Sequence, residues 1–240
     1  MMNHFDPKRM RRMEIEYSRQ LRKISGYIDT IMKGFDVHDR STHPMIVSSL
    51  NKYADTLHHW ANNTAGRIMT DIALRDEKTW LIYAKDLSYG VREQIRNSDV
   101  GAVYQQLLSD QVRLIKSLPL DAAQRVHDLS TRMLIEGGRS KELAGLIMAS
   151  GQVSMSRANT IARTEISRAA SVFVQSRAEN LGSEGYTWRT SGDIDVRPSH
   201  KEMNGKFVYW NKPPTLDRMT GHAGCLPNCR CYPDPVIPLD

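Results

Sequence analysis

Apolar residues recur every three or four positions through the first three quarters of the chain, and every second position only near its end. Met13, Tyr17, Leu21, Ile24, Ile28 and Ile31 mark one face of a helix over about 8–33. Pro44 suits the first turn of the next helix, whose stripe runs Ile46, Leu50, Tyr53, Leu57, Trp60, Ile68 and Ile72. Trp80, Ala84, Leu87, Val91 and Ile95 continue the period, and Tyr104, Leu107, Leu108, Val112 and Ile115 carry a helix over about 100–117. Asp121 with Gln124, preceded by Leu120, has the form of a capping box with a staple and predicts a new helix ending at Gly137-Gly138. A short helix at about 140–149 and a long one at about 154–181 follow, the latter capped by Ser154 or Ser156 and closed by Gly182. Beyond Gly182 the period changes. Tyr186, Trp188 and Thr190 alternate as a strand does, and Phe207 to Trp210 make a second short strand.

Proline sharpens the division. Pro119 stands alone between Met45 and Arg197, whereas seven prolines follow from Pro198 onward. Proline removes a backbone donor and clashes with the preceding helical turn. Long helices therefore belong to the first part, and the tail from Cys225 to Pro238 can only lie extended, as an edge strand. The predicted class is α+β. A mostly helical arm or bundle over 1–135 precedes a small α+β module over 136–240 with a Cys/His-rich, proline-rich tail. Small residues on the face Ala162, Ile166, Ala169 and Phe173 permit close helix approach within it.

At 240 residues and 40% hydrophobic, the chain has material for one large or two small domains, and no window approaches the 18 apolar residues of a membrane span. The first dozen residues lack the apolar core of a secretory signal, so a reducing cytoplasm is the expected compartment. The net charge of +6 is concentrated at the start. Lys8, Arg9, Arg11, Arg12, Arg19, Arg22 and Lys23 face Asp6, Glu14 and Glu16, whereas residues 181–240 balance seven basic against seven acidic. The basic cluster is the candidate surface for double-stranded DNA or an acidic partner. Arg163, Arg168, Arg177 and Arg189 form a weaker candidate for phosphate, since arginine suits that work.

All three cysteines, Cys225, Cys229 and Cys231, fall in the last sixteen residues, with His200 and His222 upstream. Structural zinc takes four Cys or His ligands, and the three cysteines with His200 or His222 supply that number. The Cys-x3-Cys-x-Cys spacing departs from the usual Cys-x2-Cys hairpin, so a shared ion would require Pro227 and Arg230 to bend the chain. Reduced, packed thiols beside a hydrogen-bonded His200, and a disulfide, are the other readings.

Several short motifs follow one another in the last hundred residues. They are Ala162-Arg163-Thr164-Glu165, Trp188-Arg189-Thr190-Ser191, Asp195-Val196-Arg197-Pro198-Ser199-His200, Asn204-Gly205 and Asn228-Cys229-Arg230-Cys231. In this order and spacing the chain resembles the phage Mu F-like family of minor head, or head-morphogenesis, proteins of tailed bacteriophages, over about residues 135–238. Where that family often carries His-Pro-Gly before the cysteines, this chain has His222-Ala223-Gly224, which loosens the placement of His222. The resemblance implies a virion component inside the head, present in the host cytoplasm during assembly. Its implied partners are the portal protein, the major capsid protein or scaffold, and packaged DNA.

Two enzymatic readings compete. His200-Lys201-Glu202 before Pro227-Asn228-Cys229 approximates the zinc-deaminase pattern, but those cysteines open a helix that Pro233, Pro235 and Pro238 forbid here. Glu165, Asp193, Asp195 and His200 could instead hold a divalent cation for phosphodiester cleavage, as in a nuclease or toxin-like effector. Against this, Asp193 and Asp195 shape the Gly192 turn, and Arg197 would pair with Asp195 or Glu165 to tie strand to helix. With Arg163, these residues make a structural polar network, and no catalytic role is expected.

Overall fold

The computed structural model describes residues 7–86, 89–96, 98, 100–136 and 140–238. The apolar stripes become helices α1 (Pro7–Lys33), α2 (His43–Thr56), α3 (His58–Tyr83), α4 (Tyr89–Arg96), α5 (Val100–Glu136), α6 (Ser140–Met148) and α7 (Ser150–Asn180). The alternating segments become β1 (Gly185–Arg189) and β2 (Phe207–Tyr209), with the short helix α8 (Pro198–Met203) between them; β3 (Thr215–Leu216) and β4 (Met219–Thr220), which no pattern announced, follow, and the proline-rich tail supplies β5 (Tyr232–Val236). The expected α+β class is met. Leu87 and the glycine pair 137–138 lie outside the described residues, as do the side chains of Lys8 and Val91.

Four boundaries differ from expectation, the first at Leu57, which divides the stripe Ile46–Ile72 between α2 and α3. The helix expected to start at Asp121 is the continuation of α5, which runs through Pro119. The Asp-x-x-Gln pattern serves other partners there. Asp121 pairs with Arg157 at 2.8 Å, and Gln124 donates to Asp128 at 2.7 Å. Helix α7 starts at Ser150, so Ser154 is a buried position within it and not a cap. The stripe from Trp80 to Ile95 breaks after Tyr83 into a 3₁₀ turn, Ala84–Asp86, before α4 resumes.

Contacts group the residues into two units, each discontinuous in sequence. One comprises Glu16–Ala65 and Asp110–Ala162 and, among the described residues, is built of helices and their connections without a strand. Its interior is the set of stripes read from sequence: Tyr17, Leu21, Ile28, Leu50 and Ile115 are each fully buried. Two of the polar side chains it buries are tied down by hydrogen bonds, whereas the hydroxyls of Ser25, Thr64 and Ser150 are buried without a partner. The Tyr17 hydroxyl donates to Gln111 Oε1 at 2.9 Å, and His43 lies 3.0 Å from the Val37 carbonyl and 2.9 Å from the Ser130 hydroxyl.

The other unit, Met1–Ile15, Gly66–Ser109 and Arg163–Asp240, holds all the strands. Helix α7 ends where Gly182 takes φ +79°, with Gly182 N–H on the Glu179 carbonyl and Ser183 N–H on that of Ala178. This is a Schellman close, and it turns the chain straight into β1. The antiparallel order β2-β1-β5 places β1 centrally. Trp188 exchanges backbone hydrogen bonds with Lys206 and Gly205 on the β2 side. Its β5 neighbour, Pro233, and Pro235 opposite Tyr186 therefore occupy non-hydrogen-bonded positions, where a missing N–H costs nothing. The expected edge strand forms for that reason. Tyr186 and Trp188 point inward against Trp80, Val174, Ala178, Val208 and Trp210. At the core of this unit Arg177 donates to Asp76 at 2.6 Å, both side chains 5% exposed, and to the Ile95 carbonyl at 2.6 Å.

Candidate metal centre

His200 stands on α8, whose first turn begins at Pro198 and whose imidazole packs edge-on against Trp188 with centroids 5.6 Å apart. From the tail, Cys229 Sγ comes within 3.4 Å of His200 Nδ1 and Cys231 Sγ within 3.5 Å. The three residues are 2%, 4% and 2% exposed. Among the described residues they form the group of side chains that could hold a metal ion, all donor atoms lying within 4.8 Å of one another.

Local backbone makes this convergence. Asn228 takes φ +57°, and Cys229 N–H closes a turn on the Leu226 carbonyl. From Cys229 the chain runs into β5 without a turn or bend, and along a strand-like run residues two apart share a face. Cys229 and Cys231 thus project together without a bend at Arg230, which points away to Asp193 at 2.9 Å. Gly224, at φ +82°, brings the preceding loop against α7. A Cβ there would meet the Ser171 hydroxyl and sit 2.9 Å from the Cys231 carbonyl.

The expected five-residue set divides. Cys225 and His222 are not in the converging group. Cys225 is held as a thiol, its pKa pushed up to about 12 by burial despite nearby Arg168. His222 lies between Tyr186 and Trp210, with Nδ1 3.3 Å from the Tyr186 hydroxyl, and burial lowers its pKa. All three cysteines are free, so the disulfide reading is not realised. The paired thiols share their proton unequally. A hydrogen bond from Cys231, outweighing burial, lowers Cys229 and is helped by His200 and by the Cys231 and Gly224 amides. The same hydrogen bond, with burial, raises Cys231.

The polar network is built around a residue that sequence reading did not select. Glu14, 8% exposed on α1, receives Arg11, Arg163 Nε at 3.2 Å and Arg230 Nε at 3.6 Å. Asp193 takes Ser191 at 3.1 Å and the Asp195 amide at 3.2 Å, shaping the Gly192 turn as expected. Burial pushes its pKa up, but Arg230 and Ser191 outweigh burial and hold the carboxyl below its ordinary value. Arg197 does not pair with Asp195 or Glu165. It donates to the Pro227 carbonyl and lies 3.8 Å from Asp217, because α8 turns it toward the tail. Glu165 is matched by Arg168 at 3.4 Å. A cleft of about 300 Å³ is lined by Asp193, Asp195, His200 and both tail thiols, but not by Glu165.

The arginine surface proposed for phosphate does not form, since Arg177 is buried on Asp76 and Arg189 donates to Asp234 at 3.1 Å. The Asp76–Arg177 pair had a visible signal. Asp76 continues the stripe Ile72–Trp80 and Arg177 the stripe Ala169–Phe173, so each charge occupies an apolar register. On α1, Arg9, Arg11, Arg12, Arg19, Arg22 and Lys23 are exposed, with Arg11 turned to Glu14 and Arg19 to Glu16. Among the described residues no helix is long and apolar enough to cross a membrane.

Residues 124–233 match the model of the family described as Phage Mu protein F like protein. An uncharacterized protein of Haemophilus influenzae is 32% identical over 144 residues, which cover 60% of this chain and 32% of that relative. The chain thus spans about a third of the length of the curated relative it matches. No solved structure matches.

Proposed function

We propose, taking the match of residues 124–233 to the phage Mu protein F like family as premise, that this chain is a minor, non-enzymatic component of a tailed-phage head. The family match carries the reading: it points to head morphogenesis. The geometry supports it, because the arginines of the matched stretch are held by partners in the fold: Arg163 by Glu14, Arg230 by Asp193, Arg189 by Asp234 and Arg197 by the Pro227 carbonyl. Buried and half-buried pairs of this kind fix geometry more than they add stability. In this reading the protein resides inside the head and passes through the host cytoplasm during assembly. It docks on the portal protein and on the major capsid protein or scaffold. A zinc ion at His200, Cys229 and Cys231 would help hold the tail in place.

The exposed cations of α1 are the proposed DNA contact. Replacing Arg9, Arg11, Arg12, Arg19 and Arg22 by Gln should weaken duplex DNA binding and flatten its salt dependence by roughly 0.9 in log–log slope for each phosphate left unneutralised. An unchanged slope removes the DNA role. Recovery of the chain with portal rings from infected cells tests the head assignment directly.

The cleft favours a second reading, a metal-dependent nuclease, since Asp193, Asp195 and His200 all line it. Arg230 already neutralises Asp193, and His200 faces two thiols, which suit soft ions better than Mg²⁺. Incubation with DNA and Mg²⁺ or Mn²⁺ decides between them: cleavage lost in His200→Ala would replace the structural reading.

A further inference from the structure

We propose that His200, Cys229 and Cys231 form a three-ligand zinc centre whose fourth coordination position opens into the adjacent cleft and takes an exchangeable ligand, water or a small anion.

The separations carry the first half. Tetrahedral zinc with bonds of about 2.05 Å to nitrogen and about 2.3 Å to sulfur sets its nitrogen and sulfur ligands about 3.5 Å apart. The observed distances from His200 Nδ1 are 3.4 Å to Cys229 Sγ and 3.5 Å to Cys231 Sγ. A neutral imidazole nitrogen carries either one hydrogen or one lone pair, so it can at most divide a single hydrogen bond between the two sulfurs, whereas a metal ion binds all three atoms together. The donors also come from separate parts of the chain, 29 and 31 residues apart, and are buried to within a few per cent. Two sulfurs and an imidazole nitrogen select zinc over magnesium or calcium, which prefer oxygen.

The second coordination sphere is compatible. The backbone amide of Cys231 points at the Cys229 sulfur at 3.4 Å, as amides do toward metal-bound thiolates. Arg197 Nη1 lies 3.5 Å from His200 Nε2, at the limit of a hydrogen bond. With Nδ1 on the metal, the ring proton moves to Nε2, and the guanidinium keeps the Pro227 carbonyl to which it already donates. Zinc entry releases the thiol protons to solvent.

The second half follows from the ligand count. A closed structural site has four protein ligands, whereas three leave one position free. Cys225 and His222, the two further ligands that sequence offered, stand outside the converging group. The three that converge line the cleft of about 300 Å³, beside Ser191, Asp193 and Asp195. We place the fourth position on the side of this cleft, where no further Cys or His converges among the described residues.

The full chain, purified without a metal-chelating tag, should contain one zinc per molecule by elemental analysis. Cys229→Ser and Cys231→Ser should each weaken zinc binding by more than the roughly 10–100-fold that loss of an outer partner costs, while Cys225→Ser keeps it. Because a cysteine variant can misfold, the wild-type chain supplies an independent reading. Reloaded with Co²⁺, it should show thiolate charge-transfer bands and tetrahedral d–d bands, and thiocyanate should shift the latter. A zinc-free wild type that also gives no cobalt spectrum, or zinc content untouched by both tail substitutions, overturns the centre. Loss of zinc in folded Cys225→Ser, or a cobalt spectrum indifferent to thiocyanate, shows a closed site and overturns the open position. These measurements do not depend on whether the chain enters phage heads, so the two proposals fail separately.

Discussion

The two units bury different chemistry. Among the described residues, the helical unit Glu16–Ala65 with Asp110–Ala162 buries hydroxyls, one amide and His43, but no carboxylate, Lys or Arg. The strand-bearing unit buries Glu14, Asp76, Glu165, Arg177 and Asp234, together with His200 and two thiols. An interior of stripes needs only apolar residues of about the right volume, and many sequences satisfy it. An interior of charges is costly unless every group is paired, and few arrangements satisfy it. The difference assigns roles: the first interior fixes helices, while the second fixes particular side chains in particular places, which is what a binding surface or metal centre requires.

The largest expected effect tests that contrast at Arg177. Arg177→Met strands the Asp76 carboxylate in the core and should destabilise the protein by about 3–5 kcal/mol in urea unfolding at neutral pH. The sign of its pH dependence is fixed. Burial, opposed by Arg177, pushes the Asp76 pKa up to about 6 from 3.8. A carboxyl raised on folding contributes its full stability below the unfolded value and loses it as pH rises through the folded value. The penalty of Arg177→Met should therefore shrink as pH falls toward 4. A penalty independent of pH would mean that packing, not charge, is what Arg177 supplies. Combining it with Asp76→Leu should recover most of the loss, since an apolar pair replaces a buried ion pair at little cost.

In the helical unit the corresponding test removes volume. Leu50, fully buried on α2, should cost about 2–5 kcal/mol as Leu50→Ala, because the cavity adds to the lost transfer energy. Here no pH dependence between 4 and 7 should accompany the change. A pH-dependent loss at Leu50 would blur the distinction between the two interiors.

The same contrast explains what could be read from the amino-acid sequence. Stripe positions such as Tyr17, Leu21, Ile28 and Leu50 are buried as their spacing implies, because a helix of period 3.6 leaves a repeating residue one face to occupy. The edge strand β5 was legible from its prolines for an equally local reason. Helix boundaries were less so. Asp121 and Gln124 form a capping pattern, yet tertiary packing carries α5 through Pro119 regardless. For the metal group, the residue types were legible and the selection was not. Whether Cys225 or Cys231 meets His200 depends on the turn at Asn228 and on the contact of Gly224 with α7, which are matters of tertiary approach. Glu14 was illegible for the same reason: its partners Arg163 and Arg230 are 149 and 216 positions away.

The smallest effect belongs to the exposed face of α1, where neither interior reaches. Arg19 pairs with Glu16 one turn away, the two side chains 64% and 47% exposed. Solvent and salt screen such a pair, and its formation costs side-chain entropy. Arg19→Gln should change stability by no more than about 0.5 kcal/mol, within the range measured for exposed helical pairs. If the same substitution measurably lowers DNA affinity, with a correspondingly shallower salt slope, Arg19 acts on phosphate and not on the fold. A stability loss of about 2 kcal/mol or more, on the order of a core truncation, would instead show that this face is covered in the folded protein. The assignment of this basic face as a nucleic-acid surface would then fall.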